Sequence, residues 1–448
     1  MLLHSGWTNL HPPLATLGVV AYDSPILYYG VPMSAIETTF DVARARACFP
    51  ALQRRQGNRL PIFFDNPGGT QVPQPVADAM SRYLLEANAN VHGGFRTSRL
   101  TDAVIAEAHQ AAADLLGAAS PDEIIFGQNM TTLTFALSRS LARWLKPGDE
   151  IIVTHLDHDA NIAPWLLVAQ DTGAVVRWVD IHPDDVTLNL DTYAAALSPQ
   201  TRLVAVGYAS NAVGTINDVA RMIRMAHAVG ALTYVDGVQS VPHLPTDVQA
   251  LGTDFLACSA YKFFGPHAGL VYGRLDLLEQ LPAYKVRPAT NLPPGKFETG
   301  TQNHEGQAGT LAAIDYLASL GGEQGLRRER LQRGMETLRR YEQSLGEHLL
   351  RGLMGIPGVR IVGITDPTRL DERVPTVSLT LDGLTPQALS AALAEQEIYV
   401  WAGNFYALSV TSRLGLEPNG ILRVGLAHYN TLDEVDRFLN AVEDIRRD

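Results

Sequence analysis

The sequence predicts an α/β protein in which a large domain built on a mostly parallel sheet precedes a smaller α+β domain. Three observations carry this reading. From about 64 to 310, short β-branched and apolar runs alternate with stretches of helical period. From Gln307 to Leu353, Leu, Arg and Glu recur at helical spacing, with the charges on what reads as a solvated face. After that, Val374–Leu381 and Ile421–Leu426 read as strands and Thr431–Ile445 as a closing helix.

Taken in order, residues 1–32 show no sustained period. They lack the basic segment and continuous apolar core of a signal peptide. Met33 opens a cleaner helical pattern and is the expected natural start, which an intact mass beginning at Met1 in the native host would reject. The expected organisation is an N-terminal extension over 1–32, a helical segment over 33–63 that joins the small domain, the large domain over 64–310, and a linking helix with the small domain over 311–448. Seven strands are expected in the large domain: Glu123–Gly127, Glu150–Thr154, Ala174–Val179, Arg202–Tyr208, Ala231–Asp236, Phe255–Ser259 and Gly269–Gly273. A mostly parallel sheet of this kind is covered by helices on both faces.

Composition bounds the function. With 448 residues, 46% hydrophobic and 18% charged, the chain can bury an extensive core. No apolar run reaches the length of a membrane span. A net charge of −12 argues against nonspecific binding to nucleic acid, and with no zinc spacing, P-loop or basic cluster neither a nucleic-acid partner nor a metal is expected. Two cysteines, Cys48 and Cys258, suit a reducing cytosol, so a cytoplasmic location is expected.

The chemistry concentrates at Lys262. It follows an apolar strand and precedes a turn shaped by Gly265 and Pro266, a position that suits a desolvated, nucleophilic amine in a pocket, with a snorkelling lysine at a strand end as the alternative until the upstream strands are considered. Two preceding strands end near Asn211 and at Asp236, the latter followed by Gly237 and Gln239. In a right-handed α/β sheet all three tips share one edge. A planar cofactor with an aldehyde, a ring nitrogen and a ring hydroxyl could be gripped there together. Pyridoxal phosphate is such a cofactor, since it needs a lysine for a Schiff base and an acid beside its ring nitrogen.

The chain resembles the class V aminotransferases, a group of fold-type I pyridoxal-phosphate enzymes, and within them the cysteine desulfurase and selenocysteine lyase branch. The resemblance rests on strings kept in one order: Phe64-Asp65-Asn66-Pro67-Gly68-Gly69, Asn90-Val91-His92, Asp157-His158-Asp159-Ala160-Asn161, Ser210–Thr215, Asp236–Ser240, Ser259-Ala260-Tyr261-Lys262, Phe297–Thr301 and Arg423–Thr431. It implies that Lys262 carries the cofactor and moves the substrate's Cα proton. It also implies that Asp236 pairs the ring nitrogen, His158 stacks on the ring, and Asn211 and Gln239 hold the ring oxygen. Thr131, Thr132 and Ser259 would hold the phosphate at a helix start, although ordinary capping would use the same threonines. Thr301 would reach the phosphate of a neighbouring subunit, which implies a homodimer. Arg423 would clamp an α-carboxylate.

The departures shape the expected reaction. Where desulfurases carry a cysteine on a loop, this chain has Val400–Ala407, with Tyr406 at the thiol position and Asn404 beside it. Trp401 replaces an arginine and Tyr261 the histidine before the lysine. Specificity is expected to lie in Gly93, Gly94, Phe95, Arg96, Trp401, Asn404, Phe405 and Tyr406. The leading expectation is Cα deprotonation of an amino acid followed by β-elimination, cleaving a C–S bond without a protein persulfide. Transamination or epimerisation is the alternative on the same scaffold. A non-catalytic cofactor-binding protein is a third reading, disfavoured by the presence of Lys262, Asp236 and Arg423 together.

Overall fold

The computed structural model describes residues 40–447 except Gln56 and Asn58. The extension over 1–32 and the start at Met33 lie outside the described residues.

The large domain is built on seven strands: β1 (Ile124–Gly127), β2 (Glu150–Thr154), β3 (Val175–Val179), β4 (Thr201–Gly207), β5 (Leu232–Asp236), β6 (Phe255–Ser259) and β7 (Gly269–Gly273). They form one sheet in the order β1-β7-β6-β5-β4-β2-β3. Strands β3, β2, β4, β5 and β6 run parallel, and β7 is antiparallel to β6 and β1. Central strands are buried on both faces, which is why they read as unbroken apolar runs: every residue of β5 and β6 is buried. Expected and observed strand limits differ by one residue at most at each end, as at β4, where the ladder starts at Thr201 rather than Arg202.

Four helices matter for the site. Helix α1 (Arg96–Leu116) and α2 (Met130–Ala142) pack beside the sheet, and α3 (His304–Ser319) leads to α4 (Arg327–Met354). The helical stretch read as continuous from Gln307 is broken between α3 and α4. Gly322 and Gly325 there are left-handed, at φ 91° and 97°, conformations that side chains resist. Gly321 also touches Arg330 so closely that a Cβ would lie 1.9 Å from the Arg330 carbonyl oxygen.

The small domain carries β8 (Val359–Val362), β9 (Thr376–Leu381), β10 (Trp401–Gly403) and β11 (Ile421–Gly425) in the antiparallel order β8-β9-β11-β10. Helix α4 contributes Leu345, Leu349 and Leu353 to its core, packed with Leu379, Leu422 and Phe438. Residues 62–66 are stitched to this domain: Ile62 and Phe63 pair with Ile398 and Tyr399, and Asn66 donates to the Gly425 carbonyl at 2.8 Å. Gly425 leaves room for Pro67, whose ring would lie 2.1 Å from a Cβ at that position. The Pro67–Gly69 turn is thereby pressed towards the carboxyl ends of β5 and β6.

Candidate active site

A cavity of about 1060 Å³ opens at the carboxyl ends of β4, β5 and β6. This is the edge at which a parallel sheet presents side chains to a ligand. Its wall holds Lys262, Asp236, His158, Asn211, Gln239, Ser259, Thr131, Thr132, Arg423, Asn404 and Tyr406. Thr301 is exposed and does not line the cavity of its own chain. Gly93, Gly94, Phe95 and Arg96 do not line it either, whereas Trp401 and Phe405 do.

Lys262 sits in a short helical turn after β6 and is buried. Its Nζ donates to the carbonyls of Pro67 and Gly68, the latter at 2.9 Å, and lies 4.7 Å from the Tyr261 ring centroid. Burial pushes this amine down to about 7, and the nearby Arg423 charge acts in the same direction. Asp236 ends β5, and its Oδ1 accepts from Val238 N at 2.9 Å. Burial raises that carboxyl to about 6, opposed by Lys262.

His158 is neutral, held down to about 4 by burial and then by the Lys262 and Arg423 charges. Its Nδ1 accepts from Ala160 N at 3.0 Å, which assigns the ring hydrogen to Nε2. Gln239 Nε2 donates to Pro67 O at 3.0 Å. The N-cap of α2 is Asn129, whose side chain accepts from Thr132 N, so neither Thr131 nor Thr132 caps the helix. Ser259 Oγ accepts from Met130 N at 2.9 Å and ties β6 to the helix start.

Arg423 projects from β11, and burial pushes it down to about 9; Asp65 opposes that shift. Its Nη1 donates to Asn211 O at 2.9 Å. The 404–406 loop crosses over from the small domain: Asn211 Nδ2 donates to Phe405 O at 2.9 Å and Asp159 N to Tyr406 O at 2.7 Å. The Tyr406 ring, 73% exposed, lies 5.6 Å from that of His158. Asn404 donates to Glu417 at 3.1 Å rather than into the cavity.

Sequence reasoning missed Asp157. It lines the cavity, accepts from Asn161 at 2.8 Å and from Thr154, and is raised to about 7 by burial, with the Asp236 charge acting in the same direction. Only its place directly before His158 could have drawn notice. It also missed the Pro67 and Gly68 carbonyls, whose role depends on main-chain direction and not on residue type.

The residues fit pyridoxal phosphate. Asn211 Oδ1 and Arg423 Nε are buried with no hydrogen-bond partner, as expected of a wall whose ligand completes it. Asp236 is a buried carboxylate beside an amine that is half neutral near pH 7, a seat that suits a protonated ring nitrogen. The first turn of the thirteen-residue helix α2 lines the cavity at Thr131 and Thr132, where a helix start favours an anion, while Thr132 Oγ1 donates to Asn129 O at 3.0 Å. Among the described residues, no cluster of His, Cys, Asp and Glu could hold a metal ion, and no helix is long and apolar enough to cross a membrane.

Known proteins agree with this geometry. A probable cysteine desulfurase of Mycolicibacterium paratuberculosis is 36% identical over 421 residues, covering 91% of this chain and 58% of the relative. The aminotransferase-like protein FGM3 of Gibberella zeae is 35% identical over 418 residues, covering 91% of this chain and 98% of that protein. The chain spans 58 to 65% of the length of several curated relatives it matches. The apo structure of the cysteine desulfurase of Thermococcus onnurineus superimposes with a TM-score of 0.81 at 30% identity, covering 90% of this chain and 98% of that one. The sequence model described as Aminotransferase class-V matches residues 62–438, and the chain therefore belongs to that family of fold-type I proteins, whose cofactor is pyridoxal phosphate.

Proposed function

We propose that the protein is an amino-acid lyase that removes the Cα proton of its substrate and expels a β-sulfur substituent, with no protein persulfide. One observation carries this: the loop position expected to bear a thiol holds Tyr406, and neither cysteine lines the cavity. Cys258 is buried inside β6, where burial pushes its thiol up, and Cys48 ends a short helix of the N-terminal segment. The relatives named cysteine desulfurases support the scaffold and the substrate class. A sulfur-accepting thiol in the pocket is what this chain lacks.

When bound, pyridoxal phosphate supplies the electron sink that makes an amino acid's Cα–H removable. Asp236 would pair its ring nitrogen, His158 would pack on its face, Asn211 and Gln239 would hold its ring oxygen, and Thr131, Thr132 and Ser259 its phosphate. Lys262, neutral above about pH 7, is suited to take the Cα proton and pass it to the departing sulfur. Arg423 offers N–H groups to the α-carboxylate in a site where burial strengthens the pairing. The departing thiolate is protonated as the β-carbon–sulfur bond breaks, and the enamine left behind hydrolyses on release to pyruvate and ammonia.

The test is incubation of the holoenzyme with S-substituted L-cysteines and assay for pyruvate. Pyruvate and free thiol in equal amounts are expected. A 2-oxo acid that keeps its sulfur would replace this reading with transamination, and racemised substrate would replace it with epimerisation.

The active unit is proposed to be a homodimer in which Thr301 completes the neighbouring phosphate site. Its support is the exposure of Thr301 together with Tyr284, Val286 and Leu292 in the same segment. Sedimentation of the holoenzyme as a dimer, with weaker cofactor retention in Thr301→Ala, is expected. A monomer with full cofactor affinity would rule it out.

A further inference from the structure

We propose that Phe405 is a positioning residue that aims Arg423 at the substrate carboxylate. The inference rests on the amino-acid reading above and adds a residue to it.

Arg423 is only 4% exposed, and its Nη1 is committed to Asn211 O. The Phe405 ring covers the guanidinium, with Cζ 4.1 Å from the ring centroid. An aromatic ring on the face of a guanidinium leaves its in-plane N–H groups free, and a carboxylate pairs with that edge. Arg423 Nε lies on that edge and has no partner. Gly68 stands beside Nη2: a Cβ there would be 3.0 Å from Asp65 O, 3.6 Å from Nη2 and 3.8 Å from the Trp401 ring, so a side chain at this position would crowd the guanidinium edge.

Two successive carbonyls of the loop, those of Phe405 and Tyr406, are held by the large domain. Asn211 Nδ2 donates to the first and Asp159 N to the second. Phe405 and Tyr406 are both left-handed, at φ 57° and 58°, and neither is glycine. Such strain persists only where surrounding contacts over-determine it, and it clusters at ligand sites. Asn211 is thus shared: its carbonyl fixes one side of Arg423, and its amide fixes the ring on the face. Removing the ring frees the guanidinium to turn, so the loss falls on ligands that carry a carboxylate.

The test is absorbance titration of the holoenzyme with L-alanine and with ethylamine, which lacks the carboxylate. The wild type is expected to favour L-alanine. Phe405→Ala, and Phe405→Leu, which keeps bulk without a π face, are expected to cut that preference about tenfold while leaving ethylamine affinity in place. Phe405→Tyr is expected to retain the preference. An unchanged preference in both Phe405→Ala and Phe405→Leu, or equal losses for the two ligands, overturns the proposal and leaves Phe405 as packing. A wild type that does not favour L-alanine overturns the amino-acid reading itself, and that failure is visible before any substitution is made.

Discussion

Replacing Lys262 with alanine is expected to abolish borohydride-fixable attachment of pyridoxal phosphate and to lower turnover by roughly a hundred- to ten-thousand-fold. No other lysine lines the cavity, so no neighbouring amine substitutes for it. The wild-type amine also dictates a pH profile for cofactor uptake. An ordinary lysine is protonated until about pH 10. Lys262 has its pKa pushed down to about 7 by burial, so its nucleophilic form grows in as pH rises through 7. Asp236 is already ionised by then, above about 6. Uptake of pyridoxal phosphate by the apoprotein should therefore climb through pH 7 and level off above about 8. A rate still rising at pH 10 would show an ordinary solvated lysine.

Asp236→Asn is expected to separate stability from function. The change preserves side-chain shape and the hydrogen bond from Val238 N but removes the charge. A cationic ring nitrogen would lose its buried partner, a loss on the order of 3–5 kcal/mol, or roughly a hundred- to five-thousandfold in turnover. The apoprotein should respond in the opposite direction. Burial raises the folded-state carboxyl from 3.8 to about 6, so ionised Asp236 costs stability. That cost is absent well below pH 3.8, where both states are protonated. It grows between about 4 and 6 and is complete above 6, where it amounts to on the order of 2–3 kcal/mol. At pH 7.5, apo Asp236→Asn should melt above the apo wild type, and cofactor should raise its melting temperature less. Equal melting of the two apoproteins would mean that Asp236 is better solvated than its burial implies.

Much of the fold was legible because its signals are local. The large-domain strands are continuous buried runs, so apolar stretches between turn residues located all seven to within a residue at each end. Helix α4 was legible from its charged face, but its break from α3 was not. A run of Leu, Arg and Glu hides the requirement for close backbone approach at Gly321 and positive φ at Gly322 and Gly325. The candidate site was legible wherever residue type and strand position both matter: Asn211, Asp236 and Lys262 follow or end successive strands and meet at one edge.

The sequence by itself determined the chemical inventory: a strand-tip lysine, a strand-end aspartate, a lone arginine in an apolar strand, and no thiol on the 400–407 loop. These are properties of residue type and period, which no partner segment needs to supply. The tertiary structure alone decided how they combine. Burial, which depends on everything packed around a group, shifts Lys262 and Asp236 into the range where they can work. Main-chain carbonyls of Pro67 and Gly68, set by the fit of Pro67 against Gly425, receive the lysine from about 195 residues away in sequence. Phe405 meets Arg423 only because a strained loop of the small domain is pinned to Asn211 and Asp159 of the large one, a long-range contact with no local pattern to announce it.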